Sequence, residues 1–211
     1  MTATTAAALR DPVDAFVALV ADKGYGAVSL AEVARECGLG LAELYRRHRD
    51  KPHLVAAFMA RIDGDVLDGT PRQSDPEETA RDRLFDVMMR RYDALKPHRP
   101  FLTALRAALL RDPILALSLA PALRRSAAAM LEAAALPSDG LAGAVRQNGL
   151  LALHAAVLPV FGRDETADLS KTMAALDGRL KTAERWVQVV EKYTTSRPNR
   201  VRQEEASGPA P

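Results

Sequence analysis

Apolar residues along this chain recur at intervals of three and four. No stretch alternates in twos over the length of a strand, so the pattern predicts an all-α protein of about nine helices. Val13, Phe16, Val17 and Val20 form one apolar face behind Asp11-Pro12, an acidic start with Pro in the first turn, and Lys23-Gly24 closes that helix. Ser29 and Glu32 then make an S-x-x-E pair. The hydroxyl takes an amide while the carboxylate reaches back, so a second helix starts here, with Ala31, Val33 and Ala34 as its small packing residues. Gly38 tolerates the left-handed backbone at which such a helix stops. A third helix carries Leu41, Leu44 and Tyr45, with Arg46, Arg47, Arg49 and Lys51 crowding its end. Helix, glycine turn and helix over residues 29–47 is a helix-turn-helix pattern, whose second helix fits a DNA major groove.

Asp50-Lys51-Pro52 opens a fourth helix with the stripe Val55, Phe58, Ile62 and Val66. The turn-forming stretch 68–76 marks a boundary. The expected division is a head with its linking fourth helix over 1–67, a helical bundle over 68–193, and a disordered tail over 194–211. In the bundle, Leu84, Met88, Tyr92 and Leu95 mark one helix, and Phe101, Leu102, Leu105 and Leu109 the next. Residues 114–136 follow, with Pro121 expected to kink or split them. Residues 141–161 are apolar apart from Arg146, Gln147, Asn148 and His154, which places that helix in a core or an interface. A last helix is expected from Asp164 to Tyr193. Its Leu169, Met173, Leu176, Leu180, Ala183, Val187 and Val190 form a narrow packing seam, most simply buried against residues 141–161.

The net charge of +2 argues for no partner by itself, but its distribution does. Arg46, Arg47, Arg49, Lys51 and Arg61 face only Glu43 and Asp50 within residues 40–61, an electrostatic footprint on the reading unit. Cys37 is the only cysteine, so no disulfide forms within the chain. With no leader pattern and no span of membrane length, the expectation is a cytoplasmic protein. None of His48, His53, His98 and His154 sits in a metal-binding frame, and there is no Gly-rich phosphate loop or G-x-S-x-G elbow. No enzyme activity, metal or cofactor is expected. Two readings fit Phe85, Met88, Met89, Phe101, Met130, Asn148 and His154: ordinary core residues, or the wall of a pocket for a small apolar effector.

The segment over residues 10–62 resembles the DNA-binding domain of the TetR family of transcriptional regulators. Ala34, Gly38, the Leu44-Tyr45 pair, Lys51 and Leu54 stand at that family's spacing, with Phe16, Gly24 and Ser29 upstream. The resemblance implies a ligand-responsive repressor that binds double-stranded DNA as a homodimer, its bundle serving ligand binding and dimerisation. Ser29, Tyr45 and Lys51 are then the phosphate contacts. Gly40, Leu41, Ala42 and Glu43 meet base edges, and Arg46 and Arg47 add base or phosphate contacts. A four-helix interface in the manner of TetR-like regulators draws on Leu151, Leu158, Leu169, Met173, Leu176, Leu180 and Val187. Gly40, Leu41 and Glu43 depart from the usual pattern. Residues 164–180 also faintly resemble ubiquinone-biosynthesis accessory proteins of this fold, which implies an alternative: an isoprenoid-binding protein that reads no DNA.

Overall fold

The computed structural model describes residues 10–71 and 77–195, the side chains of 184–195 excepted. Among the described residues there are nine α-helices and no strand. In chain order they are α1 Pro12–Lys23, α2 Leu30–Glu36, α3 Leu41–Arg47, α4 Lys51–Asp68, α5 Ala80–Leu95, α6 Arg99–Arg111, α7 Pro113–Ala133, α8 Gly140–Phe161 and α9 Ser170–Thr195. The expected tail lies outside the described residues from 196 onward, as do the side chains of Val187 and Val190.

Local chemistry fixes most helix starts. Asp11 accepts from the amides of Val13 and Asp14, Asp50 from His53, Thr79 from Asp82, and Asp112 from Ile114 and Leu115. Each satisfies donors that the first turn leaves free. Gly38 sits at φ 66° after α2; its amide donates to Arg35 O, and that of Leu39 to Ala34 O at 2.9 Å. Those two bonds are the Schellman closure that the glycine was expected to allow. The expected capping box is only half made. Ser29 Oγ accepts from the Glu32 amide at 3.2 Å, but the Glu32 carboxylate binds Lys23 Nζ at 2.5 Å instead of reaching back. Ala31 is exposed; Val33 and Ala34 are the buried residues of α2, with Leu30 packed part-buried against the core.

The α4 stripe of Val55, Phe58, Ile62 and Val66 is buried, chiefly against α7. The head is also held from the side: Phe16 of α1 meets Phe101 of α6 edge-on at 6.1 Å, and Phe101 meets Phe58 of α4 at 4.8 Å. Arg61 of α4 bonds Asp11 at 2.8 Å and Asp14 at 2.5 Å.

Three expectations change. Helix α7 runs unbroken through Pro121. The missing amide would have met the carbonyl of Leu117, four residues back, and Leu117 and Pro121 are both exposed, so water can serve that carbonyl. The same helix is long and apolar enough to cross a membrane by composition. Its Leu115, Leu119, Met130 and Leu131 are instead buried in the core. Helix α9 starts at Ser170, because Asp164 holds the preceding loop: it accepts from the amide and hydroxyl of both Thr166 and Thr172. Burial pushes the Asp164 pKa up, but those hydrogen bonds more than offset this and hold it well below the usual carboxylate range. Helix α8 is buried on one side through Gly143, Leu150, Val157 and Phe161, while Leu141 and Val145 in its first turns are exposed.

Candidate DNA interface and effector cavity

Helix α3 is pinned to the head through one fully buried side chain, Leu44. Its opposite face is thereby turned outward. Leu41 is 51% and Tyr45 56% exposed, and Gly40, Ala42 and Arg46 are exposed beside them. Large apolar groups this open are what a partner surface covers. Glu43 and Arg47, one turn apart, pair at 2.6 Å. Arg46 and Arg49 are exposed and make no ion pair among the described residues. Arg61 adds little to the basic surface, being committed to the two acids of α1.

Lys51 has a double role. Its Nζ donates to Tyr25 O at 2.8 Å and lies 4.4 Å from the centre of the Tyr25 ring, so it ties the start of α4 to the turn after α1. Burial pushes the Lys51 pKa down and the Tyr25 phenol up to about 12. An ammonium has three donors, and only one is used here. Ser29 spends an oxygen lone pair on the Glu32 amide and keeps its O–H to donate.

Helices α4 to α8 enclose a cavity of about 560 Å³. Its wall is mostly apolar: Phe58 and Ile62 from α4, Met88 and Leu95 from α5, Leu102, Leu105 and Leu109 from α6, Met130 from α7, Leu151 and Leu158 from α8. Apart from the exposed Arg106, the polar wall groups are tied to one another or to residues behind them. Arg91 bonds Asp63, whose Oδ1 also accepts from Ser126 Oγ at 2.7 Å. His154 Nδ1 lies 3.0 Å from the Tyr92 hydroxyl, and the two rings stack at 5.4 Å. Burial, and then the nearby Arg91 charge, push the His154 pKa down to about 3. Burial also raises the Tyr92 phenol. The imidazole is therefore neutral at physiological pH. One hydrogen bond joins the Tyr92 hydroxyl and His154 Nδ1, its direction set by the imidazole tautomer.

Residues 13–58 match the model of the bacterial regulatory proteins of the tetR family. The head is a TetR-family domain. A TetR transcriptional regulator from Nitrosomonas europaea ATCC 19718 superposes with TM-score 0.64 at 22% identity, over 82% of this chain and 95% of that one. A second, from Rhodococcus sp. RHA1, gives 0.52 at 22% identity, over 80% and 92%. The TetR family repressor AlkX from Dietzia sp. strain DQ12-45-1b, implicated in n-alkane biodegradation, gives 0.50 at 14% identity, over 82% and 94%. Likeness at these identities shows the TetR fold. No curated protein matches the sequence.

In this TetR fold, three of the expected pocket residues, Met88, Met130 and His154, stand in the cavity wall. The other four do not. Met89 packs part-buried against the core instead. Phe101 is fully buried between Phe16 and Phe58, Phe85 packs half-buried against the core, and Asn148 is exposed on α8. The seam expected to meet a second subunit is taken up within one chain, where it packs on residues 141–161 as its simplest use implied. Leu169, Leu176 and Leu180 are buried within a single chain, where α9 packs on α8 and α5, and Leu151 and Leu158 face the cavity. Of that set only Met173 remains exposed; Val187 lies outside the described side chains. The Asp63–Arg91–Ser126 cluster escaped the sequence reading. Its one signal was a lone charge, Arg91, next to Tyr92 on an otherwise apolar face.

Proposed function

We propose that this chain is a ligand-responsive transcriptional regulator, a repressor that binds double-stranded DNA as a homodimer. Residues 1–67 serve as the reading head and 68–193 as the effector-binding and dimerisation domain. One observation carries this: the same two helices touch both the head and the cavity. Helix α4 begins at Lys51 against the head and lines the cavity with Phe58 and Ile62. Helix α6 meets α1 through Phe101 and lines the cavity with Leu102 and Leu105. A small apolar effector that fits only one arrangement of α4 and α6 shifts the head by its differential affinity for the two states.

On DNA, the outward end of α3 with Gly40, Leu41, Ala42 and Glu43 meets base edges. Ser29, Tyr45 and Lys51 hold phosphates, and Arg46 and Arg47 add base or phosphate contacts. The reading is tested by selecting bound duplexes from a random pool and sequencing them. A two-fold symmetric site is expected, and an apolar ligand of the cavity should release it. Absence of any duplex binding at low salt ends the regulator reading.

A further inference from the structure

Beside the apolar cavity lies a second one of about 140 Å³, whose wall includes Arg99, Arg106 and Arg163. Leu102, Arg106 and Leu158 belong to both walls, so the two spaces adjoin. Three arginines contribute to the wall of the smaller space, which contains no carboxylate. Arg99 carries the argument furthest. It stacks on Phe161 at 4.8 Å, and its Nε and Nη2 are buried with no acceptor among the described residues. Buried cations are ordinarily paired, because an unmatched donor away from water is costly.

Among the described residues no acceptor reaches the buried Arg99 nitrogens, and the pocket wall holds no carboxylate. Asp164 follows Arg163, but its two oxygens already accept from Thr166 and Thr172. The Thr103 hydroxyl donates to Arg99 O at 2.9 Å and accepts from neither Arg99 Nε nor Nη2. The C-terminal end of α8, at Phe161, offers roughly half a negative charge, too little for three arginines.

We propose that this pocket takes the anionic head of an amphiphile whose apolar tail lies in the larger cavity. The head is a carboxylate or phosphate, whose oxygens match the planar fork of Arg99 and the two outer guanidinium groups. Arg106, common to both walls, stands where head joins tail. The proposal rests on reading the larger cavity as the effector site.

The test is calorimetry on the intact chain with decanoate, decan-1-ol and inorganic phosphate. Decanoate should bind about tenfold or more tighter than decan-1-ol, with the advantage shrinking as salt rises. Arg106 and Arg163 are exposed, so Arg106→Gln with Arg163→Gln leaves the fold intact. That double variant should lose the preference for decanoate and keep the affinity for decan-1-ol. Equal binding of the two probes overturns the proposal, as does a preference that survives the double variant. So does inorganic phosphate that binds without competing with decanoate. If neither chain-like probe binds, the effector reading of the cavity falls with it. An arginine-dependent preference in a chain that binds no duplex upholds the head-group site and ends the regulator reading.

Discussion

Two side chains show how much chemistry hangs on single residues. Glu43, expected at the base edges, is a carboxylate that phosphate repels and that can accept from a cytosine N4 amine. The structure gives it a partner, Arg47 at 2.6 Å, so it also restrains a cation on the reading helix. Glu43→Thr should free that guanidinium. Binding to all duplexes is expected to tighten by roughly tenfold, with a salt dependence steeper by about one unit, in titrations at several salt concentrations. Relaxed choice at one C·G pair instead would assign Glu43 to base reading. His154 bears on stability. Its folded pKa of about 3 lies below the ordinary value, so between the two the unfolded chain binds a proton that the folded chain refuses. Stability therefore falls as pH drops below about 6.5, by about 1.4 kcal/mol per pH unit while only the unfolded form is protonated. His154→Phe removes this slope. Urea titrations at pH 6.5 and 4.5 should show wild type losing more stability than the variant over that interval. His154 was legible as a polar residue in an apolar helix, but its bond to Tyr92, 62 residues away, was not.

At the scale of elements, sequence reading worked where a local chemical signal exists. Asp11, Ser29, Gly38 and Asp50 each place a helix end through their own hydrogen bonds or backbone, and all four are where their chemistry requires. It failed where the deciding contact is remote. Pro121 does not divide α7, because the helix face it interrupts is open to water. Asp164 looked like a helix start and is a loop anchor, because the threonines that bind it fold back upon it. Two glycines give contrasting tests. Gly38→Ala places a Cβ in left-handed backbone, an expected loss of about 1 kcal/mol in denaturant titration, with duplex binding weakened by disturbance of the turn. Gly143 is a packing glycine: a Cβ there would lie 2.0 Å from Ser138 O, in the loop before α8. Gly143→Ala should lower the thermal midpoint more than Gly38→Ala does, with an overpacking cost of roughly 1–3 kcal/mol.

For the molecule as a whole, periodicity showed the α9 seam and one neighbour it meets, α8, but not α5, nor that a single chain uses the seam up. The α9 spacing of four and three is real, yet its leucines are consumed by α8 and α5 of the same chain. A dimer must therefore use what a single chain leaves open. Leu141 is 85% and Val145 65% exposed, one turn apart at the start of α8. Apolar residues so open, on a helix whose other face packs inward, are what a symmetric contact between two copies would bury. Two double variants separate the faces. Leu141→Lys with Val145→Lys should leave the helical circular dichroism and thermal midpoint close to wild type, and light scattering should report a monomer. Leu176→Arg with Leu180→Arg should lose the fold itself, because two charges enter a core that has no partner for them. A folded Leu176→Arg/Leu180→Arg monomer would return the interface to the α9 seam. A dimer that survives both lysines would move it to another open face, such as Ile114 and Leu117 on α7.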